Sequence, residues 1–164
     1  MTHSGPVIVG FDGTPASERA LREAAALFTP RPALVVVVWE AGRAFEAAAL
    51  PETALEGPAA TLDVRAALAG EDSAYEAAQR LAERGAARAR AAGLQADGLA
   101  VADEATVAQT LVRLARDLDA PAVVVGTHGH HQLRDLVLGS TLSGLLRHAP
   151  CPVLACGPAD EEKR

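Results

Sequence analysis

Five short apolar runs, spread along the whole chain, restrict its fold more than any other feature of the sequence. Three of them consist almost continuously of Val, Leu, Ile and Ala, without the polar alternation of a half-exposed strand. Continuous apolar runs are typical of strands covered on both faces, as in a parallel sheet. The five predicted strands are Val7–Phe11, Ala33–Val38, Gly98–Ala102, Ala122–Val125 and Pro152–Cys156.

Helical patterns separate these runs, each with apolar residues three or four positions apart. The first follows Thr14, a good N-cap, and Pro15, which suits the first helical position. The others are predicted from Asp72 or Ser73 to Gly93, from near Glu104 to Leu118, and from Ser140 or Thr141 to before Pro150. Strands alternating with helices predict one α/β domain, an open parallel five-stranded sheet with helices on both faces.

We assign residues 1–158 to this Rossmann-like domain and residues 159–164 to an acidic tail, with no second domain and no repeat. The connection after the second strand, residues 40–70, has no clear hydrophobic period and contains Pro51, Gly57 and Pro58. It is predicted to be a long mobile loop with one short helix at most, and such loops are often functional.

The chain has a single lysine, Lys163, in the tail. This excludes a P-loop, a pyridoxal Schiff base and a protein kinase, all of which need a lysine at the site. The formal charge of −6 argues against nucleic acid and anionic membrane surfaces as partners. The apolar runs are too short to span a bilayer, and the N-terminus lacks a secretory signal. We therefore expect a cytoplasmic protein with Cys151 and Cys156 reduced.

Candidate functional residues follow the strands, because ligands of open α/β sheets bind outside the carboxyl ends of the strands. Asp12 follows the first strand and is placed to accept hydrogen bonds from ribose hydroxyls. The segment from Gly126 to Gly129 follows the fourth strand and can form an anion nest. Gly139, Ser140 and Thr141 open the last helix, whose N-terminal N–H groups favour a phosphate. Val38, at the end of the second strand, offers an apolar face to a base.

The spacing G-x2-G-x9-G-[ST], here Gly126, Gly129, Gly139 and Ser140, resembles the nucleotide-binding signature of the universal stress protein family. The stretches from Val7 to Thr14 and from His148 to Leu154 are similar to that family too. The resemblance covers the chain except for residues 40–70 and the tail.

The resemblance implies a strand order of 3-2-1-4-5, a homodimer and a cytoplasmic stress-response regulator that binds ATP between the ends of strands 1 and 4. The ribose contact would fall on Asp12 and the adenine contact on Val38. The phosphate contacts would fall on Gly126, Gly129, His130, Gly139, Ser140 and Thr141. Any Mg²⁺ or Mn²⁺ would be held by the phosphates. The last strand, Pro152–Cys156, is expected at an edge, where pairing with a second copy protects it.

Other interpretations remain open at this point. Asp12 alone is equally typical of a turn. The histidines at 128, 130 and 131 lie in one loop without a matching ligand, which argues against a protein-only metal site. No nucleophile elbow surrounds Ser140, so catalysis is expected to be weak ATP hydrolysis at most. A nucleotide-free interaction module of the same fold is the main alternative. The sequence also departs from the family at 103–107, where a Gly-x-Pro is common, and at His130, whose titration would make phosphate affinity pH-dependent.

Overall fold

The computed structural model describes residues 3–41, 64–103, 105–127 and 139–157. Within these ranges five strands alternate with four helices. The strands are β1 (Val7–Gly10), β2 (Pro32–Trp39), β3 (Gln95–Ala102), β4 (Val123–Gly126) and β5 (Val153–Cys156). The helices are α1 (Pro15–Phe28), α2 (Val64–Ala91), α3 (Val107–Asp117) and α4 (Ser140–His148). No helix of the described ranges is both long enough and apolar enough to cross a bilayer.

The strands form one parallel sheet in the order β3-β2-β1-β4-β5, which confirms the predicted fold class and strand order. β1 lies at the centre, where Ile8 pairs with Leu34 of β2 and with Val123 of β4. The chain therefore turns from one half of the sheet to the other between β1 and β4. Ligands of open α/β sheets bind at such a switch point.

Alternate residues of the strands face two separate helical layers. Val7 and Val9 belong to a cluster with α1 and α2, whereas Ile8 belongs to a cluster with α3 and α4. All three side chains are fully buried. Helices thus cover both faces of the sheet, which explains why the strand runs are continuously apolar.

Side-chain caps fix two helix starts. Thr14 Oγ1 accepts from the Ser17 amide at 3.3 Å, and Pro15 occupies the first turn, as predicted. Thr106 Oγ1 accepts from the Gln109 amide at 3.2 Å. This cap places the start of α3 at Val107, so the predicted start near Glu104 was a few residues early.

The prediction for the second helix was wrong at its N-terminus. α2 begins at Val64, so Asp72 and Ser73 lie inside the helix rather than capping it. The end of the predicted 40–70 loop is therefore helical from residue 64 onward. An alanine-rich stretch propagates a helix through Gly70 because one interior glycine costs only about 1 kcal/mol. Residues 42–63 lie outside the described ranges.

Candidate functional site

The loops after β1 and β4 meet because these two strands are neighbours. The Asp12 amide points to Ser17 Oγ at 3.4 Å, which joins the first loop to the start of α1. Gly126, at the end of β4, lies directly over the same helix start. Gly139, before α4, faces the carbonyl oxygen of Thr127. These contacts bring the predicted residues Asp12, Gly126 and Gly139 together at the carboxyl ends of the strands.

Asp12 forms a turn with its own loop. Its Oδ1 accepts from the Thr14 amide at 2.9 Å and from the Thr14 hydroxyl at 2.6 Å. Gly13, between them, adopts a φ of +79°, which favours glycine. The carboxylate is half-buried and holds the residue that caps α1. Asp12 therefore has a structural role that stands whether or not its carboxylate also contacts a ribose.

Gly126 is required by packing. A Cβ at this position would lie 2.9 Å from the Ala16 carbonyl carbon and from the Ser17 amide nitrogen. Backbone atoms of a helix start cannot move aside as a flexible side chain can. The glycine thus allows α1 to approach the end of β4, a reason for its presence that involves no ligand.

Among the residues that the structure describes, Gly139 has no comparable packing reason. A Cβ there would lie 3.6 Å from Thr127 O, an ordinary van der Waals distance, and its φ of −53° suits any residue. It is the N-cap of α4, yet no side chain caps the helix there. Ser140 and Thr141 are the first two residues of α4, with Ser140 exposed and Thr141 half-buried. The first turn of α4 therefore has backbone donors and two hydroxyls, which are features of an anion site.

Val38 lies near the carboxyl end of β2, one residue before the strand ends, and β2 is next to β1 on the side opposite β4. It is half-buried and packs against the cluster formed with α3 and α4. The backbone links β2 to the first loop, since the Phe11 amide donates to Val36 O at 2.9 Å. Val38 thus presents an apolar surface on the same face of the sheet as α4.

A groove of about 630 Å³ runs beside the start of α4, between α3 and α4. It shares Ser140 and Thr141 with the predicted site, but Asp12, Val38 and Gly126 do not line it. Its other walls include Glu40, Asp103 and Thr106. Sequence reasoning missed this groove because it depends on helix packing, although the Thr106 cap after β3 is a signal that could have indicated it.

Basic side chains line the far end of this groove, where both helices end. Arg116 lies in the last turn of α3, and His148 is the last residue of α4. The Arg116 guanidinium, in the last turn of α3, is stabilised there by the helix dipole. This explanation accounts for the basic end without a ligand.

Two predicted phosphate contacts, Gly129 and His130, lie outside the described residues, as do His128 and His131. Within the described ranges, no group of three or more His, Cys, Asp or Glu side chains could hold a metal ion. Cys151 and Cys156 are free thiols. Burial raises the pKa of both, so neither has the lowered pKa of a reactive cysteine.

A family model described as "Universal stress protein family" matches residues 4–157. The chain belongs to this family. A curated family relative, universal stress protein A homolog 1 of Coxiella burnetii, is 47% identical over 49 residues, which is 30% of this chain and 33% of that protein. The chain thus matches about a third of the length of that relative.

Solved family structures share the fold over nearly their full length. The universal stress protein of Archaeoglobus fulgidus in complex with dAMP is 20% identical, with a TM-score of 0.59 over 94% of this chain and 99% of that one. A universal stress protein in complex with cAMP is 22% identical, with a TM-score of 0.60 over 96% of this chain and all (100%) of that one. At these identities the likeness establishes the fold.

Proposed function

We propose that this chain binds an adenine nucleotide, with ATP as the physiological ligand, in the cleft between the carboxyl ends of β1 and β4. The phosphates would lie at the first turn of α4, against Gly139, Ser140 and Thr141, together with Gly126, Gly129 and His130. The ribose would meet Asp12, and the adenine would meet Val38. The observation that carries the proposal is Gly139, a glycine that neither its backbone conformation nor packing against the described residues requires, at a helix start without a side-chain cap.

Two further facts support the nucleotide class. Family structures carry dAMP and cAMP, both adenine nucleotides. The single lysine, Lys163, lies in the C-terminal tail, so we assign the phosphate contacts to backbone N–H groups, hydroxyls, the helix dipole and His130, with Arg134 as a further candidate. Any Mg²⁺ or Mn²⁺ would be held by the phosphates.

We further propose that the nucleotide acts as a regulatory signal in a cytoplasmic stress-response dimer. The second copy would pair along the last strand, Pro152–Cys156. Neither nucleic acid nor a membrane is part of this proposal. Catalysis would be weak ATP hydrolysis at most, because the residues of the proposed site include no lysine and no nucleophile elbow.

Isothermal titration with AMP and with ATP·Mg²⁺ tests the site. Asp12→Asn is the informative variant, because the amide oxygen can still accept from Thr14 and keep the turn while the charge is lost. We expect its affinity to fall by about tenfold, a loss of about 1.4 kcal/mol. Arg84→Ala, an exposed change on α2, is the control. Unchanged affinity in Asp12→Asn would contradict the ribose assignment.

A nucleotide-free interaction module is the second candidate. It is favoured by the finding that Asp12 and Gly126 both make contacts that support the fold without a ligand. Mass spectrometry of the denatured purified protein separates the two functions. Released ATP or AMP supports nucleotide binding, whereas its absence together with a flat titration supports the interaction module.

A further inference from the structure

β3 is the longer of the two strands at the sheet edges. It has eight residues and pairs with β2 along its whole length, so its other side faces away from the sheet. A long edge strand presents a row of N–H and C=O groups that a strand of another chain can pair with. Such an edge must be protected if the protein is not to form open-ended chains.

Side chains of α2 form hydrogen bonds with backbone groups along this edge. The Ala100 amide donates to Gln79 Oε1 at 3.1 Å, and Arg90 Nη1 donates to Ala96 O at 2.6 Å. Ala96 and Ala100 are four residues apart, so both direct their backbone groups to the same side of the strand. An amide that donates to Gln79 and a carbonyl that accepts from Arg90 are engaged at the positions where an added strand would pair.

Glu83 lies between these two capping side chains and close to both. Gln79 Nε2 lies 3.5 Å from Glu83 Oε1, so the amide oxygen of Gln79 is turned toward β3. Arg90 Nη2 lies 3.9 Å from Glu83 Oε2. The three residues follow one stripe of α2, at spacings of four and seven, which fit the helical repeat. We call Gln79, Glu83 and Arg90 the edge cap.

Gly98 keeps α2 close enough for the edge cap to reach. A Cβ at Gly98 would lie 2.7 Å from the carbonyl carbon and oxygen of Ala82. The helix backbone therefore rests directly on the middle of β3, between the two capped positions. Side chains leaving the helix beside Ala82 need little reach to meet the strand.

The opposite edge is built differently. β5 has four residues, and Ala155 is exposed. Among the described residues, no side-chain hydrogen bond to a β5 backbone group corresponds to those of Gln79 and Arg90. We propose that the edge cap closes the β3 edge to strand addition and leaves β5 as the open edge, so that pairing with a second copy stops at two chains. The part concerning β5 rests on the dimer of the proposed function.

The double variant Gln79→Ala/Arg90→Ala tests the closure. We expect it to form assemblies of four or more chains, because each dimer gains two open edges. Light scattering after size exclusion measures their mass, and their fraction should rise with protein concentration. Arg84→Ala, exposed on the same helix outside the stripe, is expected to retain the wild-type mass. A double variant with the wild-type mass would overturn the proposal.

Hydrogen exchange supplies a readout that does not depend on assembly. In Gln79→Ala we expect the Ala100 amide to exchange roughly tenfold faster, while amides of β1 keep their rates. An unchanged Ala100 rate would show that the cap is not formed and would also overturn the proposal. If the wild type runs as one chain, the dimer of the proposed function fails, but the mass difference between variant and wild type still decides the closure.

Discussion

The roles of Gly126 and Gly139, the two described glycines of the nucleotide signature, can be distinguished by substituting each with alanine. Gly126→Ala would place a Cβ 2.9 Å from backbone atoms of Ala16 and Ser17, closer than real Cβ contacts occur. Gly139→Ala would place a Cβ 3.6 Å from Thr127 O, at ordinary contact distance. The same substitution is therefore expected to damage the fold at one position and only the site at the other.

The magnitudes follow from these distances. Overpacking against a backbone that cannot yield costs about 1–3 kcal/mol, so Gly126→Ala should lower the melting temperature by about 2–12 °C in a chain of this size. At Gly139, alanine gains about 0.4–1 kcal/mol from a less flexible unfolded chain. It loses about 1 kcal/mol as a poorer N-cap. The two effects nearly cancel, leaving the stability of Gly139→Ala within about 1 kcal/mol of the wild type.

Denaturant unfolding followed by circular dichroism measures both stabilities, and calorimetry with AMP and ATP·Mg²⁺ measures both affinities. We expect Gly139→Ala to fold normally and to bind at least about tenfold more weakly, because its methyl group occupies the approach to the first turn of α4. Equal loss of stability in the two variants would refute the packing argument. Wild-type affinity in Gly139→Ala would refute the assignment of the phosphates to this turn.

Three further outcomes are expected. Hydrogen bonds to the Asp119 carboxylate, chiefly from the Ser4 amide, lower the pKa of this group. The carboxylate therefore stabilises the fold fully above the ordinary carboxyl pKa, and this contribution is lost as the pH falls through the lowered pKa. Asp119→Asn keeps the left-handed backbone at φ +50° and should flatten the acid limb of a stability–pH curve; an unaltered limb would contradict this. Thr106→Ala should cost about 1 kcal/mol in denaturant unfolding and Thr106→Ser much less, since only the latter caps α3. Cys156, only 5% exposed, should react with a disulfide reagent roughly tenfold more slowly in native than in denatured protein, and equal rates would argue against burial.

The strands could be predicted because burial on both faces is visible in sequence as a continuous apolar run. All five predicted runs contain the observed strands or lie within them, apart from one or two terminal residues. β3 was the exception in length, since it begins at Gln95 rather than Gly98. At an edge of the sheet one face is less covered, so Gln95 and Asp97 stay exposed and interrupt the apolar pattern.

The features that sequence did not reveal depend on contacts between distant elements. The groove beside α4 exists because α3 and α4 approach closely at Gly144, where a Cβ would lie 2.6 Å from Ala108 Cβ. The packing role of Gly126 likewise depends on α1, more than a hundred residues earlier. A glycine required by packing and a glycine without a packing requirement look alike in sequence, and only the surrounding described atoms distinguish Gly126 from Gly139.

Phosphate binding without lysine also bears on whether such a site would catalyse. The described residues assigned to it are Asp12, Val38, Gly126, Gly139, Ser140 and Thr141, none of which is a cation. A helix N-terminus supplies about half an elementary charge, which is enough to favour a bound phosphate. Phosphoryl transfer needs more, because charge on the transferred group must be neutralised by metal ions and cationic side chains as the bond breaks. Residues 128–138, which contain Arg134 and three histidines, lie outside the described ranges. A steady release of phosphate from ATP that is lost in Arg134→Ala would therefore identify a cation that the described residues do not supply, whereas bound nucleotide without turnover would support a ligand role.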